Sequence, residues 1–233
     1  MFADELTSYP QGEDGMPIKA IQGVALDMDG LLLNTEDLYG EVGNILMGRR
    51  GKIYRDDVRQ QMIGLPAEQA YGVLIREEQL KESWQALQRE TDEIFEDLLP
   101  NQLAMMHGVE ELLDHLDNLR LPRCVATSST KDFATRALSL VGVLKRVDFV
   151  ITAEEVERGK PFPDIYLESA QRMGIPIHHT LVLEDSPTGT KAGVSAGAYV
   201  VSVPNEHTRQ GRFDGCQWIA DTLRDKRIYD LLT

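Results

Sequence analysis

Cysteine is almost missing: only Cys124 and Cys216 occur in 233 residues, with no CxxC spacing. That excludes a disulfide framework and a thiolate zinc site, and it is the usage of a reducing compartment. No apolar run approaches the roughly 20 residues that cross a bilayer. Positive charge is also scarce, with 24 Lys and Arg against 38 Asp and Glu and a formal net charge of −14. A surface that acidic repels nucleic acid and anionic lipid, so neither nucleic acid nor membrane is expected as a partner. A small anion stays admissible where a metal ion and a few Lys or Arg build a local positive field. The opening MFADELTSYPQGEDGMPIK is acidic and lacks an apolar centre. It reads as a polar extension over 1–18 rather than a signal peptide, and the expected location is the cytoplasm. Composition fixes no oligomeric state. The five histidines show no ligand spacing, and the adjacent His178 and His179 are expected to point apart in a loop.

What is present alternates. Short apolar runs (Val24-Ala25-Leu26, Cys124-Val125-Ala126, Phe149-Val150-Ile151, Leu181-Val182-Leu183 and Tyr199 to Val203) each stop abruptly at polar or Pro residues. Between them, apolar residues recur at helical spacing, as in Val109, Leu112, Leu113, Leu116 and Leu119, or Phe133, Ala137, Leu138 and Val141. Another helix is expected to open at Pro163-Asp164. Strands alternating with helices give an α/β chain with a Rossmann-like doubly wound parallel sheet. The segment 35–104 breaks the alternation. It holds no convincing strand, but helical patterns occur around Leu38 to Leu46, Ala70 to Ile75 and Trp84 to Leu98. It reads as a small all-helical domain inserted into a core made of 19–34 and 105–233. Arg49, Arg50 and Lys52 read as a solvated basic face, with substrate steering as the alternative.

In open α/β sheets, ligands bind beyond the carboxyl ends of the strands. Those ends carry Asp27 and Asp29, Thr127 and Ser128, and Glu184 and Asp185, so the three clusters converge on one rim. Carboxylates gathered this way repel each other unless they hold a divalent cation, and an all-oxygen set suits Mg²⁺. The ion also offsets repulsion between a carboxylate nucleophile and a phosphate anion. Thr127 and Ser128 offer hydroxyls near a helix start, and Ser129 with Asp132 fits a capping box. Lys160, between Gly159 and Pro161, supplies a cation to offset charge on the aspartate and on a transferring phosphoryl group.

Asp27-Met28-Asp29-Gly30-Leu31, Thr127, Gly159-Lys160-Pro161-x-Pro163-Asp164 and Glu184-Asp185-Ser186-Pro187-x-Gly189 follow one another in the order of four motifs. In this the chain resembles the haloacid dehalogenase-like hydrolase superfamily over nearly all its length after residue 20. The inserted helices resemble the cap of the β-phosphoglucomutase-like branch. The stretch DMDGLLLNTE is similar to sugar-phosphate and nucleotide phosphatases of that branch, including the pseudouridine-5′-phosphatase type. The resemblance implies a phosphatase acting on a small phosphorylated metabolite. Asp27 would attack phosphorus and form an aspartyl phosphate, with Asp29 as proton donor and then acceptor. Mg²⁺ would be held by Asp27, the Asp29 main-chain carbonyl and Asp185, with Glu184 close by. Thr127, Ser128 and Lys160 would orient phosphate. The presence of Asp29 argues against dehalogenation, because halide leaves without a proton.

Two rival readings stand beside this one. A β-phosphoglucomutase-type sugar phosphomutase would return the phosphoryl group to a second hydroxyl. Resemblance to that enzyme implies an Arg shortly after the cap-loop Gly and a His near the cap linker, where this chain has Ala67 and Tyr39. A non-catalytic binding module would keep the fold without turnover. The segment Met62-Ile63-Gly64-Leu65-Pro66 is the candidate specificity loop, together with Asp37, Tyr39 and residues 128–131.

Overall fold

A computed structural model of the chain describes residues 21–62, 65 and 67–233. The expected polar extension over 1–18, and Ile63, Gly64 and Pro66 of the candidate specificity loop, lie outside the described residues. Six strands form one sheet: β1 (Gly23–Leu26), β2 (Arg123–Thr127), β3 (Phe149–Thr152), β4 (Thr180–Glu184), β5 (Tyr199–Ser202) and β6 (Trp218–Ile219). Their order is β3-β2-β1-β4-β5-β6, and every neighbouring pair is parallel. This is the doubly wound α/β architecture expected from the alternation. β6 was not anticipated, because a two-residue strand carries no readable period.

A parallel sheet covered on both faces needs apolar residues in both registers of each central strand. Ala25, Cys124, Ala126, Ile151, Val182 and Val200 form one buried face, against which Ile165, Tyr166, Ala192 and Ala196 pack. Those four belong to α7 (Asp164–Met173) and α8 (Pro187–Ala196). The alternate residues Val24, Leu26, Val125, Leu181, Leu183 and Val201 are fully buried as well. The core unit also contains α5 (Val109–Leu119), α6 (Lys131–Leu140) and α9 (Lys226–Leu231). Strand order reverses between β1 and β4, which places a topological switch point at their carboxyl ends.

The described residues divide into two compact units, Asn34–Ala104 and the remainder. The smaller unit is helical: α1 (Thr35–Gly48), α2 (Asp56–Met62), α3 (Ala67–Glu78) and α4 (Trp84–Gln102). Sequence periodicity anticipated three of these. The fourth, α2, has Val58 as its one buried residue, so no apolar stripe announces it. α4 starts at Ser83, whose side chain accepts the Ala86 N–H. Of the basic cluster, Arg49 and Lys52 are exposed as expected, but Arg50 departs from a solvated face. Arg50 is largely buried and pairs with Glu82 at 2.8 Å and Glu90 at 2.6 Å, and Arg49 meets Glu90 at 3.0 Å. His178 and His179 also depart from expectation. They lie in a 3-10 turn with ring centroids 4.4 Å apart. Among the described residues, no helix is long and apolar enough to cross a membrane.

Asn34 ties the two ends of the helical unit together. Its side-chain amide donates to the Gln102 carbonyl at 3.1 Å, its side-chain oxygen accepts the Ala104 N–H at 2.8 Å, and its own N–H donates to the Ala104 carbonyl at 3.1 Å. Asn34→Ala removes both side-chain bonds from an exposed site, at a cost of about 1 kcal/mol. Amide exchange at Ala104 is expected to quicken about fivefold, and an unchanged rate would show that the clamp contributes nothing.

Candidate active site

The site grows from the way β1 ends. Its backbone leaves the sheet at Asp27, whose N–H donates to the Leu183 carbonyl of β4 at 3.0 Å. The chain then turns sharply. The Met28 carbonyl accepts N–H groups from both Leu32 and Leu33, and Gly30 sits at φ +82°. That φ favours glycine. Three leucines, Leu31 to Leu33, bury themselves straight after the turn and anchor it. Asp27 and Asp29 are thereby held at the switch point, with Asp27 6% exposed.

Beneath Asp27 lies a lysine with no spare hydrogen. The Lys160 ammonium donates to Asp27 Oδ1, to Glu184 Oε1 at 2.6 Å and to the Ala126 carbonyl at 2.9 Å. An ammonium has three N–H bonds, so its donors are fully used. Glu184 is likewise saturated. Its Oε1 also accepts the Tyr166 hydroxyl at 2.7 Å, and its Oε2 accepts the Ser186 N–H at 3.2 Å and hydroxyl at 3.0 Å. Ser186 caps α8 by accepting the Gly189 N–H at 3.0 Å. Glu184 folds under that helix start, where the helix dipole favours a carboxylate. A Cβ at position 189 would lie 1.7 Å from Glu184 Oε1, so only glycine leaves room for it.

Electrostatics follow from this packing. Burial alone would drive the Lys160 ammonium toward neutrality, but the Asp27 and Glu184 charges outweigh it and hold its pKa well above the usual lysine value. Burial, reinforced by Glu184, pushes the Asp27 carboxyl above the usual carboxylate range, while Lys160 pulls against the shift. Burial also raises the Tyr166 hydroxyl, with Glu184 adding to it, so the group stays a donor.

The second aspartate is held from the other side of β1. Thr127 Oγ1 and Ser129 Oγ both donate to Asp29 Oδ2 at 2.9 Å, and the Ser129 N–H donates to Thr127 Oγ1 at 3.0 Å. Asp29 Oδ1 is buried without a hydrogen-bond partner. The capping box expected from Ser129 and Asp132 does not form. α6 begins at Lys131 with Thr130, not Ser129, at its N-cap and no side-chain cap, and the Ser129 hydroxyl donates to Asp29 instead. Ser128 stands exposed between these two hydroxyl residues.

Asp27, Glu184 and Asp185 each place a carboxylate oxygen within 4.8 Å of the others. Three buried carboxylates against the charge of Lys160 leave an excess of negative charge, and the donor set is all oxygen. Such a set fits a hard divalent cation. Asp185 is 2% exposed, and its Oδ2 accepts the Asn205 side-chain amide at 2.9 Å.

The structure therefore brings Asp27, Asp29, Thr127, Lys160, Glu184 and Asp185 together, with Ser128 on the adjoining turn. It adds Tyr166 and Asn205, which no strand-end cluster includes, and gives Ser129 and Ser186 hydrogen-bonding roles to Asp29 and Glu184. Asn205 was within reach of strand-end reasoning, since it follows Val203-Pro204 on the same rim. Tyr166 was not, because it sits within the apolar pattern of α7. Tyr166→Phe keeps the ring and removes one hydrogen bond to a buried carboxylate. An unfolding free energy lower by about 1.5–3 kcal/mol is expected in chemical denaturation. No measurable loss would mean that the hydroxyl carries no net energy.

The chain is similar to several known proteins. A probable pseudouridine-5′-phosphatase of Drosophila melanogaster is 33% identical over 89% of this chain and 92% of its own length. A (DL)-glycerol-3-phosphatase of Arabidopsis thaliana is 31% identical over 88% of this chain and 89% of its own. Among solved structures, a putative β-phosphoglucomutase from Thermotoga maritima superposes with a TM-score of 0.81 at 25% identity, covering 91% of this chain and all of that one. Residues 24–203 match the haloacid dehalogenase-like hydrolase family, and the chain belongs to that family.

Proposed function

We propose that the chain is a phosphoric monoester hydrolase of a small phosphorylated metabolite, working with Mg²⁺ through an aspartyl phosphate on Asp27. The observation that carries this reading is the pairing of two aspartates with opposite environments. Asp27 is clamped by a cation, whereas Asp29 has one oxygen fixed by two hydroxyls and the other buried without a partner. A nucleophile works ionised, and here Lys160 opposes the rise in pKa that burial and Glu184 impose on Asp27. A proton carrier needs an oxygen that no other group already holds. The relatives named as phosphatases support the same reaction class.

Asp27 and Asp185 would hold the ion together with the Asp29 main-chain carbonyl, and the bound ion would offset the charge of the approaching phosphate. Glu184, with both oxygens already accepting hydrogen bonds, serves as the anchor of Lys160. Lys160 orients Asp27 and favours its ionised form. An Asp27 oxygen attacks phosphorus while the bond from phosphorus to the leaving oxygen breaks. Asp29 gives its proton to that oxygen from Oδ1. Water then attacks phosphorus, its proton passes to Asp29, and phosphate leaves with the Asp27 carboxylate restored. Thr127 and Ser129 keep Asp29 in place through both steps. Ser128 and the backbone N–H groups of the turn before α6 are proposed to receive phosphate oxygens. The expected location remains the cytoplasm.

The likeness to a putative β-phosphoglucomutase favours a second reading, in which the phosphoryl group passes to another hydroxyl. Incubation with β-glucose 1-phosphate and Mg²⁺ separates the two: free phosphate supports hydrolysis, and glucose 6-phosphate supports the mutase. Asp27→Asn is expected to lower turnover on a responsive phosphomonoester by at least about 10³-fold. It should also abolish the mass increase of one phosphoryl group in quenched intact protein. Substantial residual turnover in that variant would remove Asp27 from the nucleophile role.

A further inference from the structure

Asn205 lies where the chain crosses the rim after β5, and the Val203 N–H still pairs with the Glu184 carbonyl at 2.6 Å. The orientation of its side-chain amide is set by the backbone. Oδ1 accepts the His207 N–H at 2.8 Å, the Thr208 N–H at 3.2 Å and the Thr208 hydroxyl at 3.4 Å. With the acceptor end turned to those donors, the two hydrogens on Nδ2 face the opposite way. They meet Asp185 Oδ2 at 2.9 Å and the Gly30 carbonyl at 3.0 Å.

One neutral amide thus joins the loop after β1 to the loop after β4, across the switch point. A side chain at position 30 would collide with this bridge, since a Cβ on Gly30 would come 2.5 Å from Asn205 Nδ2 and 2.6 Å from Asp185 Oδ2. The rotation of a carboxylate decides whether its oxygens converge on an ion. Groups that fix it from outside the ligand set tune affinity without touching the metal.

We propose that Asn205 is a positioning residue for the divalent cation, holding the Asp185 carboxylate and the Gly30 turn in the arrangement that binds it. This rests on the reading of Asp27 and Asp185 as the cation ligands. An amide suits the task because it donates to two acceptors and adds no charge to a site already rich in carboxylates.

The test is direct Mn²⁺ binding to the full chain without substrate, followed by the electron paramagnetic resonance signal of the free ion. Asn205→Ala is expected to raise the Kd 10- to 100-fold, the range typical of lost outer partners of metal ligands. The rise in melting temperature that Mg²⁺ gives the wild-type protein should shrink in the variant. The Mg²⁺ concentration for half-maximal activity should increase by a similar factor. Asn205→Leu, close to asparagine in size, serves if the alanine variant does not fold. A wild-type protein that binds no Mn²⁺ would overturn the cation site itself. Wild-type binding with a folded variant within twofold of it would overturn the role of Asn205 alone. Failure of both variants to fold would make Asn205 a residue of stability and would also overturn the proposal.

Discussion

The Lys160 ammonium is the fixed point of this site. It sits between Asp27 at the end of β1 and Glu184 at the end of β4, with the Ala126 carbonyl of β2 taking its third hydrogen. Three neighbouring strands therefore converge on one charge, with the lysine side chain 5% exposed. Buried carboxylates at adjacent strand ends would otherwise repel each other strongly in a medium that screens poorly. The lysine makes their proximity tolerable, and the rest of the arrangement keeps the lysine in place. Tyr166 and Ser186 complete the hydrogen bonding of Glu184, and Gly189 leaves the room that its carboxylate needs.

On the other side of Asp27 the problem is reversed. Asp29 has no ammonium beside it in this network but two hydroxyls on a single oxygen. Neutral donors orient a carboxyl in either protonation state, whereas an ammonium favours the ionised one. Two aspartates separated by one residue thus receive different chemistry from their surroundings rather than from their own side chains.

The parts of this site that could be read from the chain are those marked by a sharp change in polarity. Asp27, Glu184 and Asp185 each end an apolar run, and that boundary locates a strand end without knowledge of the fold. Ser129, Tyr166 and Asn205 act through partners 100, 18 and 175 positions away, so no local pattern names those partners. The same contrast holds for the fold. The five longer strands carry enough apolar residues to be recognised, whereas β6 has two residues and α2 buries one. Ser129 is instructive because its local signal marked a helix start but missed the cap by one residue. The Ser129 hydroxyl donates to Asp29, and the N-cap position of the helix falls one residue later, at Thr130.

Leu33 and Met105 pair as an antiparallel bridge, and the next residues along, Asn34 and Ala104, are bonded to one another as well. Topologically, the whole helical unit is then the loop of a hairpin, enlarged into a compact unit of its own. Enlarging a loop from a tight turn to this length costs only roughly 3 kcal/mol of closure entropy, because the penalty grows with the logarithm of length. Such a graft can be shortened, lengthened or rewritten while the sheet that carries the aspartates keeps its register. A change in the length of the insert is, on this ground, thermodynamically separable from the pairing of the strands that carry the aspartates.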